Sequence, residues 1–324
     1  MVIRVDCVMI RLGLQIGGFA YGTGVERLFP SVVAQAREAE SAGFDSVFVM
    51  DHLLGSPDQP MLEAYTALGA LATATERVQL GALVTGNTYR NPTLLAKAIT
   101  TLDVASAGRA ILGIGTGWFE PEHRQLGFEL GTFTNRFNRL EEALQILEPM
   151  IKGERSTFSG DWYTTESAIA EPHYRNRIPI LIGGSGEKKT FSIAARYADH
   201  LNIIAGFDEL PRKLDALGKR CDEAGRDRST LETSMLLPVT VDENIKPDHI
   251  PAEMRNHMLV GSPDCIAEQA QAKVLGVGVD SLIINLQTHG YTPGVITTAA
   301  EALRPLVGLS AARAAGHPGA TRCG

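Results

Sequence analysis

The run Pro179-Ile180-Leu181-Ile182-Gly183-Gly184-Ser185-Gly186-Glu187-Lys188-Lys189-Thr190 carries a short apolar strand into a glycine-rich turn and then into a helix. Glycines permit positive φ and let backbone approach a ligand closely. The free N–H groups at the next helix start point at whatever sits in the turn, with the positive end of the helix dipole behind them. Such a turn is a phosphate cradle. It is not a Walker A loop, because Gly186 is followed by Glu187 where G-x-x-x-x-G-K-[ST] needs lysine. It is not the dinucleotide fingerprint G-x-G-x-x-G either. A phosphate turn this late in a chain of alternating strands and helices points to a late loop of a β/α barrel. The plainer alternative is a tight turn whose glycines serve packing alone.

Three other stretches carry chemical side chains at predicted strand ends. Asp51-His52 ends the second strand. Histidine changes charge near neutral pH, and a neighbouring carboxylate can orient it or hold its proton. The pair suits a general acid/base or a donor to a polar cofactor ring atom, against a histidine that merely caps the rim. Leu83-Val84-Thr85-Gly86-Asn87-Thr88-Tyr89-Arg90 puts hydroxyls, an amide and a cation on one loop, fit to line a polar cofactor face or simply to be a polar loop. Gly113-Ile114-Gly115-Thr116-Gly117-Trp118 alternates glycines, which leaves one strand face bare for something flat or bulky. Glu120, Glu122 and His123 follow without any recognised metal-ligand spacing, so no metal is expected and Glu122 and His123 read as a solvated loop face.

The elements that must hold these residues alternate. Strands are expected near 12–16, 46–50, 78–84, 109–114, 179–182, 199–204, 233–241 and 281–285, each followed by a helical pattern. Strands apolar on both faces imply a parallel sheet covered by helices, and eight of them close a barrel. The expected fold is therefore α/β, a (β/α)8 TIM barrel, rather than a doubly wound open sheet. Two insertions are expected over its mouth: a hairpin near 156–170 after strand four, and 244–258 after strand seven. Residues 1–11 read as an N-terminal extension, 12–309 as the barrel domain and 310–324 as a loose tail.

With 324 residues, 44% of them hydrophobic and 21% charged, the chain can bury a large core. Its net charge of -7 argues against general nucleic-acid binding. Cysteines at 7, 221, 265 and 323 show no C-x-x-C spacing, so neither a zinc site nor a disulfide framework is indicated. No stretch is apolar enough to span a bilayer, and no signal-peptide pattern is present. A cytoplasmic protein without membrane contact is expected.

Together these residues resemble the bacterial luciferase-like monooxygenase superfamily, and within it the oxidoreductases that use coenzyme F420, a deazaflavin. The resemblance runs over roughly 12–307. It rests on Gly43-Phe44-Asp45-Ser46 leading to Asp51-His52, on Leu80-Gly81-Ala82-Leu83-Val84-Thr85, on Ala107-Gly108-Arg109 with Leu112 to Trp118, and on Pro179 to Glu187 with Ala195-Arg196-Tyr197-Ala198-Asp199. It implies that Asp51 and His52 lie beside the cofactor ring as the catalytic pair. It implies a non-proline cis peptide at Leu83-Val84 against the ring. Thr85, Asn87, Gly115 and Thr116 would complete the cofactor face, and Gly183, Gly184, Ser185 and Gly186 would receive its phosphate. The implied reaction is hydride exchange between F420 and a small organic substrate. The alternatives are an FMN-dependent monooxygenase fed by a separate flavin reductase and a non-catalytic flavin- or deazaflavin-binding protein. A homodimer is implied by the resemblance only. One departure stands out: a sugar-phosphate dehydrogenase of this superfamily has a catalytic glutamate directly after Gly-Thr-Gly, where this chain has Trp118.

Overall fold

The computed structural model describes residues 12–22, 24–55, 60–245, 248, 250–286 and 291–307. Eight parallel strands run in chain order: β1 Leu12–Ile16, β2 Ser46–Val49, β3 Gln79–Ala82, β4 Ala110–Gly115, β5 Ile180–Gly183, β6 His200–Ile203, β7 Glu232–Val241 and β8 Ser281–Asn285. Each pairs with its neighbour in sequence, and the ring closes because β8 also pairs with β1. At the seam Leu14 lies opposite both Ile284 and Val47. Across the ring Met235 lies opposite both Ile203 and Leu282. The expected (β/α)8 barrel is the observed one.

The strands are buried on both faces, and their side-chain alternation divides the core in two. Val47 and Val49 point outward to the helices, within a large cluster that includes Leu68, Leu95, Leu144 and Phe191. Phe48 points inward and joins Leu83, Ile111, Leu181 and Ile283 in the barrel interior. Glycines make room inside. A Cβ on Gly81 would stand 2.5 Å from the Ile111 carbonyl oxygen, and one on Gly113 would stand 2.0 Å from that of Ala82. The helix starts are fixed locally. Asn91 accepts from Thr93 N ahead of Pro92, and Ser262 accepts from Cys265 N ahead of Pro263.

Strand three is shorter than its apolar run suggests. It breaks after Ala82 at a cis Leu83–Val84 peptide, and the chain resumes as Thr85–Gly86 paired with the end of β4. The hairpin of Ser156–Ser159 and Thr164–Ala168 is present, but it follows the helix Phe133–Met150 and precedes β5. It therefore belongs to a return connection, toward the N-terminal end of the barrel. Just beyond it Tyr174 packs on Gly108 at the start of β4. The mouth after β4 is instead covered by the short helix Glu120–Leu126 and the start of Phe133–Met150. The stretch after β7 does lie at the C-terminal end, where Leu259–Gly261 pairs with Val239–Val241. The expected extension at 1–11 and tail at 310–324 fall outside the described residues.

Candidate active site

One cavity of about 510 Å³ opens at the C-terminal ends of the strands. Asp51, His52, Leu83, Val84, Thr85, Gly115, Thr116, Gly183, Gly184, Ser185 and Gly186 all line it. Asn87 does not. It is buried behind the lining, its N–H bonded to the Gly115 carbonyl at 3.0 Å. Its side-chain amide has no hydrogen-bond partner among the described residues.

His52 is held by a residue that sequence reading assigned to solvent. Glu122 is fully buried, and its Oε2 lies 3.1 Å from His52 Nδ1. The same carboxylate accepts from the Tyr89 hydroxyl, from Leu53 N, and from Leu54 N at 2.7 Å. Burial pushes the Glu122 carboxyl up, but hydrogen bonds from Tyr89, Leu54, His52 and Leu53 outweigh it and hold the group below its ordinary value. An ionised carboxylate can only accept, so neutral His52 carries its proton on Nδ1 and keeps the Nε2 lone pair free. His123 is buried as well. Its Nδ1 lies 2.8 Å from the Phe119 carbonyl, and its Nε2 lies 2.7 Å from Thr88 Oγ1. The Tyr89 ring stacks on it with centroids 4.8 Å apart. The expected solvated face of Glu122 and His123 is thus an internal lock between two loops. No three His, Cys, Asp or Glu side chains among the described residues converge as metal ligands.

Asp51 plays a different part from the neighbouring His52. Its oxygens receive Arg90 Nη1 at 2.6 Å, Arg90 Nη2 at 2.9 Å and Gly86 N at 3.0 Å. Burial raises its pKa above the ordinary carboxylate value, and the Arg90 hydrogen bonds and charge offset only part of that. Arg90 also bonds Glu63 and lies 4.9 Å over the Tyr65 ring. Tyr65 in turn bonds the Thr85 hydroxyl at 2.8 Å. Asp51 therefore fixes the loop after β3 rather than orienting His52.

The Leu83 carbonyl accepts from Gln15 Nε2 at 2.9 Å, and Gln15 Oε1 accepts from Asn285 Nδ2 at 2.8 Å. This line from β8 through β1 holds the bulge. Val84 then wedges between two strands. A Cβ on Gly183 would lie 2.7 Å from its Cγ1, and one on Gly115 would lie 2.9 Å from its Cγ2. The bare strand face expected for a ligand is filled here by protein, and the cavity begins beyond Val84.

At the far end, Gly184 has φ 143°, open to glycine, and its N–H is taken by the Asn202 carbonyl at 3.0 Å. The N–H groups of Ser185, Gly186 and Glu187 make no hydrogen bond within the described residues. They precede the helix Lys189–Tyr197. Lys213, itself buried, donates to the Ser185 carbonyl at 3.0 Å from behind the turn. The Lys189 ammonium rests over Phe133 and Phe137, at 5.5 Å and 5.4 Å. Gln15, Arg136, Asn202 and Asn285 also line the cavity. Sequence reasoning missed these four. Each sits inside an otherwise apolar or helical pattern, and only the closure of the barrel brings them together.

A family model described as luciferase-like monooxygenase matches residues 16–246. An F420-dependent glucose-6-phosphate dehydrogenase of Microbacterium testaceum (strain StLB037) is 37% identical over 222 residues, 65% of this chain and 63% of that protein. The protein of the same name from Nakamurella multipartita is 36% identical over 239 residues, 69% of this chain and 68% of its own length. The matched stretch thus spans about two thirds of these relatives. Among solved structures, an F420-dependent secondary alcohol dehydrogenase in complex with an F420-acetone adduct superposes with a TM-score of 0.77 at 21% identity. That match covers 91% of this chain and 98% of the other, a likeness of fold.

Proposed function

The chain belongs to the luciferase-like monooxygenase family, and from that premise we propose that it is an F420-dependent oxidoreductase that exchanges hydride with a small organic molecule. The observation that carries the reading is the pairing, at two ends of one cavity, of a turn whose backbone N–H groups make no hydrogen bond among the described residues with a histidine whose Nε2 has no hydrogen-bond donor among them. The F420-dependent relatives add the choice of cofactor.

The residues present fit such a group. The N–H groups of Ser185, Gly186 and Glu187 would receive its phosphate, with the helix Lys189–Tyr197 behind them. Gly184 permits the approach, because its φ of 143° suits no side chain. Val84 and Leu83, braced by Gln15, would support the ring system. When bound, a deazaflavin supplies two-electron hydride chemistry, and the protein supplies orientation and electrostatics. His52 Nε2 takes the hydroxyl proton of a substrate alcohol, or returns it to a carbonyl in the reverse direction. Glu122 keeps the imidazole in the tautomer that does so and stabilises it when charged. Asp51 and Arg90 hold the loop after β3 that lines the site.

The test is turnover. Purified protein with oxidised F420 is offered alcohols, and with reduced F420 is offered ketones, aldehydes and electron-deficient alkenes. Substrate-dependent change in the deazaflavin absorbance supports the reading. Activity with FMN and a flavin reductase, without any with F420, would replace it by the monooxygenase. Cofactor binding without turnover would leave a binding protein.

A further inference from the structure

We propose that Lys213, a buried lysine outside the cavity lining, is a positioning residue of the glycine turn: it holds the Ser185 carbonyl from behind and so aims the Gly186 N–H at a bound phosphate. This rests on the reading of that turn as the seat of the cofactor phosphate.

A peptide unit is planar and, when trans, its C=O and N–H point in opposite directions. Whatever takes the carbonyl on one side therefore fixes where the N–H looks on the other. Two successive peptides of the turn are held in this way. The Gly186 carbonyl accepts from Phe191 N at 3.1 Å, within the helix that follows, which leaves the Glu187 N–H facing away from that helix. The Ser185 carbonyl accepts from Lys213 Nζ at 3.0 Å. Lys213 sits on the helix Leu210–Glu223 and is not among the residues lining the cavity, whereas Ser185 and Gly186 are. The carbonyl thus points out toward the helix, and the Gly186 N–H points back toward the cavity. The first tie is made by backbone; the second depends on one side chain. Gly184 N bonds the Asn202 carbonyl and the Ser185 hydroxyl bonds the Ile204 carbonyl, which moors the turn to the end of β6. Neither bond acts on the peptide between Ser185 and Gly186.

Lys213 is only 6% exposed, and a charge that far from water is costly unless paired. Its carboxylate partners are Glu187 Oε1 at 3.6 Å and Glu209 Oε1 at 4.0 Å. Both carboxylates also bind Arg212, whose side chain is exposed. Two cations against two carboxylates leave this cluster neutral, so it draws no anion from a distance. What belongs to Lys213 alone is its hydrogen bond to the turn. Linked hydrogen bonds polarise one another, so a charged donor on the carbonyl makes the Gly186 N–H a stronger donor on the far side.

The test compares F420 with the phosphate-free deazaflavin that ends at the ribityl chain. Both are titrated into wild type, Lys213→Met and Arg212→Ala, with bound fraction read from cofactor fluorescence. Wild type should bind F420 more tightly than the phosphate-free compound. Lys213→Met should weaken F420 by about tenfold or more, the order of one lost hydrogen bond to a charged group, and leave the phosphate-free compound within about threefold. Arg212→Ala keeps the bond to Ser185 and should change either affinity by less than about threefold. Unchanged F420 binding by Lys213→Met, or equal weakening of both ligands, overturns the proposal and leaves the phosphate reading of the turn intact. So does an Arg212→Ala loss as large as that of Lys213→Met, which would assign the effect to charge. Equal affinity of wild type for the two ligands would instead remove the phosphate reading itself, and the proposal with it. Should Lys213→Met fail to fold, nuclear magnetic resonance of wild-type protein carrying isotope-labelled glycine decides. F420 should shift the Gly186 amide proton downfield, and the phosphate-free compound should not. A Gly186 amide unmoved by bound F420 overturns the proposal.

Discussion

Val84 occupies the space that a side chain on Gly183 would need: a Cβ there would stand 2.7 Å from Val84 Cγ1 and 3.1 Å from Cγ2. Gly115 faces the same side chain from β4. The two glycines let one valine seat itself across two strands, and that seat sets the wall of the cavity.

Gly183→Ala should therefore displace Val84 and lower stability by about 1–3 kcal/mol, the usual cost of overpacking. Val84→Ala in the same chain should restore most of it. Thermal unfolding of the two single variants and the double variant measures this. A Gly183→Ala protein as stable as wild type would mean that Val84 is not wedged.

His52→Ala should lower kcat by about 10²–10⁴-fold if Nε2 moves the proton, with only a small change in Tm because the ring is part-exposed. Loss of less than threefold, with unchanged cofactor affinity, would make His52 a rim residue.

Glu122→Gln should harm both activity and stability. A glutamine amide offers donors where four donors already point, so at least one of Tyr89, Leu53, Leu54 or His52 loses its acceptor. An orphaned buried donor costs about 1–3 kcal/mol. The effect should depend on pH. The folded-state pKa of Glu122 is depressed, so its stabilisation is complete above the unfolded value of about 4.3 and fades as pH falls through the lower folded value. The Tm gap between wild type and Glu122→Gln should be widest near neutral pH and narrow as pH falls below about 4.3, where the unfolded chain takes up the proton before the folded protein does. A gap that widens in acid would reverse the assigned sign.

Much of this was legible in the chain. Eight apolar runs with helical patterns between them closed as expected, because strands buried on both faces leave the sheet no solvated edge to choose. The cavity lining was largely legible too, since strand ends of a barrel converge by construction. Glu122 and His123 were misread. Their neighbours Glu120, Pro121 and Arg124 are the composition of an exposed helix start, and no local signal says that Tyr89 and Leu53 will arrive from two other loops to bury them. The hairpin and the helix before it were both legible, but the hairpin was placed over the mouth; the helix Phe133–Met150 starts at the mouth and carries the chain back, so the hairpin that follows it lies toward the opposite end. The glycines of β4 show open space without showing that Ala82, Val84 and Thr88 fill it.

The glycine turn carries the central claim, and an equilibrium titration tests it most directly. F420 and FMN are each titrated into wild-type protein and into the Gly184→Val, Lys188→Ala and Lys189→Ala variants, with bound fraction read from cofactor fluorescence. Gly184→Val forces a branched side chain into φ 143° with its Cβ 3.1 Å from Thr190 Cγ2. The account predicts that F420 binds wild type more tightly than FMN does. It predicts that Gly184→Val weakens F420 by more than about tenfold, and that each lysine variant costs less because exposed charge is screened by salt. FMN binding with no detectable F420 affinity, or a lysine variant that weakens F420 more than Gly184→Val, would contradict it.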